Sequence, residues 1–407
     1  MKVPVGNFII GKEEKAAVNA VLDSGRVSEG KYTRLFEQEW AKYIGTKYAV
    51  ALNSGTSAII AGLLSLVYDD RFPKVKSGAK VITSPVTYIA TANAIKLAGL
   101  EPVFADIHLH DFTIDCDKVE DLLKKDGNVA AIIPVHLFGF PNDMDRLNRL
   151  SRKYDVVLFE DSAQAHGSIY KGKKVGSLSL LSDFSFYIAH NIQAGELGVI
   201  TTNDSKIFSL IKRIKANGRM CDCAECLRTK GLCKYLKDDQ LYEVDPRFHH
   251  ELIGANFKTT EFQTALALSQ LKHADEIFKK RSENVKYLNK ELNKYKNILN
   301  LPVYHKNVSY LAYPIVIKDQ RVISRKYLRK HLETLGVETR PLFKCIPNQQ
   351  PAYQSYHRLY KDNLPNADFV GSNGFYVACH QYLTKTDLNY ISKVFGEILG
   401  KISKKGN

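Results

Sequence analysis

Long apolar runs are absent from this 407-residue chain. No stretch approaches the roughly 20 apolar residues of a membrane-spanning helix. The start, Met1-Lys2-Val3-Pro4-Val5-Gly6, has no signal-peptide core. The expectation is a soluble, cytoplasmic protein with no membrane partner. Acid is scarce beside base, 43 Asp and Glu against 58 Lys and Arg, which leaves a formal charge of +15. The lysines are scattered, apart from a small cluster at Lys401, Lys404 and Lys405. Scatter of this kind predicts a solvated surface and no nucleic-acid partner. Part of the excess can steer an anionic substrate such as a nucleotide diphosphate. Repeats and low-complexity segments are also missing, which excludes solenoids and arrays. An odd count of 7 cysteines without an export signal excludes a disulfide framework.

The pattern that is present alternates strands with helices. Helical patterns run over Glu13–Leu22 and Tyr32–Ile44. The short apolar run Tyr48–Leu52 then leads through Asn53-Ser54-Gly55-Thr56-Ser57 into a helix ending near Leu66. Strands are expected at Lys80–Thr83, Pro102–Ala105, Val129–Pro134, Val156–Glu160 and Gly198–Thr201, with helices such as Ala90–Leu97 and Met144–Tyr154 between them. Such alternation predicts an α/β fold with a mostly parallel, buried sheet. Glu261–Leu288 reads as one long helix, and the domain boundary is placed near residue 270. Residues 1–270 would form a large domain carrying a cysteine-rich insert at 218–248. Residues 271–407 would form a smaller α/β domain, with apolar runs at Leu311–Ile317 and Gly374–Cys379 and helices near Ser324–Leu335 and Lys385–Leu399.

Several segments can carry chemistry. In Asn53-Ser54-Gly55-Thr56-Ser57, glycine lets backbone approach an anion, and a helix start offers free N–H groups; a plain helix cap explains the motif equally well. Asp161, in Glu160-Asp161-Ser162-Ala163-Gln164, ends an apolar run, where a carboxylate faces the ligand crevice of an open sheet. Its alternative is a helix cap. Tyr88 is either a ring-stacking residue or a core aromatic. His190 follows Ser185 by five positions and precedes Gly195-Glu196-Leu197-Gly198; a histidine there is either a base or a satisfied buried ring. Cys221, Cys223, Cys226 and Cys233 form C-x-C-x2-C-x6-C, four thiols suited to one metal centre. Zinc would be structural, whereas an iron–sulfur cluster would carry electrons. Cys116, Cys345 and Cys379 are isolated and read as packed thiols.

Taken in order, Ser54–Ser57, Thr87–Ala94, Pro134–Gly139, Glu160-Asp161 with Gln164, Phe184–Phe186, Gly254–Lys258 and Thr339–Pro341 resemble the DegT/DnrJ/StrS-type sugar aminotransferases. That family has the fold-type I, aspartate aminotransferase-like architecture and depends on pyridoxal phosphate. The resemblance implies that Ser54, Gly55, Thr56 and Ser185 hold the cofactor phosphate. Tyr88 would lie over the ring, Asp161 would pair with its nitrogen, and Gln164 would meet its hydroxyl. Asn256 would reach the phosphate of a neighbouring subunit, which implies a homodimer. Arg26–Lys31, His249–Glu251 and Arg340 are the substrate contacts suggested by layout and charge.

The missing residue is the lysine. At position 190, where such enzymes tether the cofactor as a Schiff base, this chain has histidine. An imidazole forms no stable imine but takes a proton near neutral pH. The replacement resembles the branch of nucleotide-sugar 3-dehydratases. It implies pyridoxamine 5'-phosphate as cofactor and loss of the C3 hydroxyl from a nucleotide-linked 4-keto-6-deoxyhexose, with His190 as catalytic base. The cysteine segment is similar to that of a cluster-bearing member type, with Cys226 supplying a ligand otherwise taken from the position of Ser162–Ala163. This similarity implies a 2Fe–2S cluster and a reductase partner; zinc would leave an amino donor such as glutamate to restore the cofactor. A pyridoxal-phosphate-dependent aminotransferase with a structural zinc is the competing reading, and a non-enzymatic relative a third.

Overall fold

The computed structural model describes residues 1–223, 226, 228–233, 235 and 245–403. Lys404, Lys405 and parts of the 218–248 insert lie outside the described residues. Two helices, α1 (Lys12–Asp23) and α2 (Lys31–Ile44), precede strand β1 (Tyr48–Leu52) and helix α3 (Gly55–Val67). Then come β2 (Lys80–Thr83), α4 (Ala90–Leu97), β3 (Glu101–Phe104), α5 (Cys116–Lys125), β4 (Val129–Ile133), α6 (Met144–Tyr154) and β5 (Val157–Asp161). A hairpin of β6 (Ile169–Tyr170) and β7 (Lys173–Lys174) leads to β8 (Leu181–Ser185), β9 (Gly198–Thr202) and α7 (Ser205–Ile214).

Seven of these strands form one sheet in the order β1-β9-β8-β5-β4-β2-β3. Every residue of β4, β5 and β9 is buried, as strands covered on both faces must be. Apolar residues of α3, α4 and α7 cover one face. On the other, α5 and α6 cover the middle strands, and α2 supplies Phe36 and Trp40 over β8 and β9. Strands β8, β5, β4, β2 and β3 run parallel, as expected. Strand β9 departs from that pattern and is antiparallel to both β1 and β8. The connection from Ser185 to Gly198 holds no crossover helix, and without one a strand returns in the opposite sense.

The long helix expected over Glu261–Leu288 is two helices, α8 (Glu261–Leu271) and α9 (Ala274–Leu292). The His273 amide turns back to the Gln270 carbonyl at 3.0 Å. Gln270 bonds Glu14 at 3.2 Å and His273 bonds Glu13 at 3.1 Å, so α1 fixes the break from outside. Helix α8 packs on α1 and α2, whereas α9 packs on the C-terminal helix. A second, antiparallel sheet follows in the order β10-β11-β13-β12: β10 (Leu299–Asn300), β11 (Tyr313–Ile317), β12 (Arg340–Pro341) and β13 (Gly374–Val377). Its α-helices are α10 (Arg325–Thr334), three short ones between Ile346 and Asn373, and a final helix, Lys385–Ser403. Among the described residues no helix is long and apolar enough to cross a membrane.

Glu261 ties the start of α2 to α8. Helix α2 has no side-chain cap of its own at Gly30. The Glu261 carboxylate accepts the Gly30, Tyr32 and Thr33 amides at 2.8, 2.7 and 2.9 Å, plus the Thr33 hydroxyl. Glu261→Ala strands those donors at a buried helix start. It should cost about 2–4 kcal/mol in urea unfolding, while an exposed control such as Glu276→Ala should change little.

Candidate active site

The edge formed by the carboxyl ends of the parallel strands gathers the site. Strand β1 is antiparallel to β9 and β9 to β8, so β1, β8 and β5 end on the same edge. Ligands of open α/β sheets bind there.

Ser54 caps α3, its hydroxyl accepting the Ser57 amide at 3.1 Å. Gly55 opens the helix, and a Cβ there would lie 2.6 Å from the Cβ of Ser185. The hydroxyl at the end of β8 therefore stands against the helix start, with Thr56 one residue further on. Gly198 makes this approach possible. It pairs with both Leu52 and Ser185, and a Cβ on it would sit 2.0 Å from the Ser54 carbonyl oxygen. A helix start beside a hydroxyl is an arrangement suited to a phosphate.

At the end of β5, buried Asp161 accepts the Thr91 hydroxyl at 2.7 Å and the Ala163 amide at 3.2 Å. Burial pushes its carboxyl above the ordinary range, against Thr91, the Ala163 amide and the field of His136, which favour ionisation. A cationic ring nitrogen brought to it would restore the charged form. Thr91 also links to the Tyr88 carbonyl. Tyr88 is 61% exposed, so it is not a core aromatic; its ring lies edge-on to Phe343 at 6.1 Å. Gln164 is buried, and its carbonyl accepts the Phe138 amide at 3.0 Å, which fixes the side chain and directs its NH2 elsewhere.

His190 lies in the turn after β8, its amide bonded to the Tyr187 carbonyl at 2.8 Å. Its ring centre is 5.9 Å from that of buried His166, which rests on Phe184, Phe186 and Trp40. The ring is half-buried, with Nδ1 sealed from solvent and unpartnered among the described residues. Burial first, and then Arg281, push its pKa down to about 3; the open side of the ring lets water moderate that fall. The imidazole is therefore neutral at physiological pH and free to accept a proton. Arg281 was not singled out from sequence. It is fully buried and donates to neutral oxygens, Gln381 Oε1 at 3.0 Å and the carbonyls of Leu311 and Tyr310. Its spacing from Ile277, Asn284 and Leu288 on the buried stripe of α9 is the signal that would have marked it.

Asn256 and the four cysteines sit apart from this cluster. Asn256 is exposed, yet its neighbour Phe257 accepts the Asn53 amide at 2.8 Å, so the strip runs beside the phosphate cradle. Cys221, Cys223, Cys226 and Cys233 line one cavity of about 420 Å³ with Asn256, Arg26, Arg219 and Lys258. None of the four forms a disulfide among the described residues. Among the described residues no group of three His, Cys, Asp or Glu side chains is placed to hold a metal ion, so this arrangement does not fit a formed metal centre. Cys116, Cys345 and Cys379 are buried, as expected of packed thiols.

A mostly parallel sheet with a helix start at one strand end and a buried carboxylate at another agrees with the fold of the pyridoxal-phosphate-dependent aminotransferases. Residues 9–395 match the DegT/DnrJ/EryC1/StrS aminotransferase family, and the chain belongs to it. It is 30% identical over 407 residues to the dTDP-4-dehydro-2,6-dideoxy-D-glucose 3-dehydratase of Saccharopolyspora spinosa, covering 98% of this chain and 87% of that one. The structure of the E. coli GDP-4-keto-6-deoxy-D-mannose-3-dehydratase with bound hydrated PLP superimposes with a TM-score of 0.84 at 27% identity, over 97% of this chain and 99% of that one. Helicobacter pylori PseC, an aminotransferase involved in the biosynthesis of pseudoaminic acid, matches with the same TM-score, 0.84, at 26% identity, over 98% of this chain and 100% of that one.

Proposed function

We propose that the protein removes the C3 hydroxyl of a nucleotide-linked 4-keto-6-deoxyhexose in cytoplasmic deoxysugar biosynthesis, with pyridoxamine 5'-phosphate held without a covalent tether. The observation that carries this reading is the neutral, partly open imidazole of His190 in the turn beyond the phosphate cradle, where an aminotransferase needs a lysine. The bound cofactor supplies a conjugated ring that absorbs negative charge from the reacting carbon.

The chain's residues do the rest. Ser54, Gly55, Thr56 and Ser185 bind the phosphate through amides and hydroxyls. Asp161 keeps the ring nitrogen protonated, Gln164 holds the ring hydroxyl through its free NH2, and Tyr88 covers the ring. Phosphates in the crevice raise the proton affinity of His190 toward neutrality, because opposite charge favours the imidazolium. His190 then removes one proton, and it lacks the amine through which a lysine would route the reaction to an aminosugar. Asn256 of a partner subunit completes the phosphate contacts, so the working unit is a homodimer.

The likeness to the H. pylori aminotransferase supports a second reading, amine transfer to the sugar; a structural zinc on the cysteines would accompany that reading and has no support in the likeness. The deciding experiment incubates purified protein with pyridoxamine phosphate, glutamate and a nucleotide-linked 4-keto-6-deoxyhexose, and reads the product by NMR. Loss of oxygen at C3 is expected; an amine at C4 sinks the proposal. No step is drawn through the four cysteines. Iron, sulfide and zinc analysis of anaerobically purified protein assigns them: iron with labile sulfide would mean a 2Fe–2S cluster and a reductase partner, zinc a structural role.

A further inference from the structure

Strand β8 reads Leu181-Ser182-Asp183-Phe184-Ser185, and its middle residue is an acid sealed in the core. Asp183 has no solvent exposure, and neither carboxyl oxygen has a partner among the described residues. An unpaired buried carboxyl is costly, and a strand interior has no structural need of one.

Its place in the sheet gives it a neighbour. Asp183 pairs in register with Asp161 on parallel strand β5. Paired residues on adjacent strands project to the same face, about 4.8 Å apart. The preceding pair on that face, Phe159 and Leu181, packs against Gly62 of α3, so both aspartates face α3. Two residues beyond, on the same face, Ser185 meets Gly55. Asp183 thus lies in the floor of the crevice, between the ring-facing acid and the phosphate cradle. The other elements packed on it bring no charge: α3 has no titratable side chain, and its partner on β9 is Ile200. Asp161 is the charged group acting on it; burial, and then Asp161, hold the Asp183 carboxyl well above the ordinary range. Two carboxyls so placed do not both ionise. Asp161 accepts one hydrogen bond on each oxygen, and each oxygen has a further lone pair.

We propose that Asp183 is a positioning residue for Asp161: it keeps its proton and donates it as a hydrogen bond to its cross-strand neighbour, so that Asp161 is the acid that ionises toward the cofactor ring. This rests on the reading of Asp161 as the partner of the ring nitrogen. It makes the floor of the site a pair of acids sharing one proton.

Two substitutions in the full chain test it. Asp183→Asn keeps a donor of the same shape, and Asp183→Leu removes it. In the apo-protein at pH 8, infrared difference spectra of wild type against D183N should lose one protonated-carboxyl band. Absence of that difference means Asp183 is ionised and overturns the proposal. Pyridoxamine phosphate binding, followed by calorimetry from pH 5.5 to 8, should be near wild type in D183N. In D183L it should be weaker by roughly tenfold or more, the deficit growing as pH falls and Asp161 takes up the proton itself. Equal behaviour of D183N and D183L would reduce Asp183 to a space-filling role and overturn the proposal. A wild-type protein that binds no pyridoxamine phosphate would instead sink the functional reading, and the infrared comparison would still decide whether the acids share a proton.

Discussion

His190→Ala should lower turnover by about 10²–10⁴, the usual worth of a positioned base, while pyridoxamine phosphate still binds. The reason is local. His190 lies beyond the strand that ends at Ser185, so its loss leaves the cradle of Ser54, Gly55 and Ser185 and the Asp161–Thr91 contact intact. Single-turnover kinetics and equilibrium binding on the same preparation separate the two effects. The pH profile provides a second check. A base must be unprotonated to act, so activity is lost as pH falls through its pKa. Burial and Arg281 push the His190 pKa down and the cofactor phosphate draws it back toward neutrality, so the acid limb of kcat/KM should not lie above the ordinary histidine value of about 6.5. An acid limb above that value, or full dehydration by H190A, would remove His190 from the role of base.

Gly198→Ala should be the more damaging added methyl of the two glycines at the site, Gly55 and Gly198. The added carbon would lie 2.0 Å from the Ser54 carbonyl oxygen and 2.7 Å from the Gly55 amide nitrogen, both of them backbone. Neither can swing away as a side chain would, so either β9 or the start of α3 must shift. Overpacking of this kind costs roughly 1–3 kcal/mol, with the upper end expected where backbone is struck. The same shift parts Gly55 from Ser185, so cofactor affinity should fall together with stability. Urea unfolding and calorimetric titration with pyridoxal phosphate measure the two losses. Gly127→Ala, at a position with open space around it, is the matched control. A G198A protein with wild-type affinity would show that the phosphate is not held between α3 and β8.

The layout of the large sheet was readable because its strands are short apolar runs closed by turn residues. Lys80–Thr83, Ala90–Leu97 and Met144–Tyr154 fall where the pattern puts them. Strand direction was not readable: β9 looks like its neighbours in composition, and only the missing crossover helix reverses it. The break at Lys272–His273 was also hidden. Neither residue is a helix breaker, and the turn is held by Glu13 and Glu14 from another part of the chain. At the site, the residues carried by motifs were found, because glycine, serine and a strand-end acid have local signatures. Asp183 and Arg281 were not. One acid in a strand and one arginine after two lysines read as solvent-facing until the packing puts both in the interior.

The order of the strands also bears on how the chain is made. Strand β1 docks against β9 with Tyr48 opposite Thr202, so an early segment waits for a late one. During synthesis the ribosome must extrude the whole of β2 to β8 before that partner emerges. Until then β1 and the flank of β8 present bare peptide groups, the kind of edge that recruits other nascent chains. Closure of this sheet is therefore a non-local, comparatively slow event, and it coincides with the moment when the glycine of β9 presses the Ser54–Gly55 turn into shape.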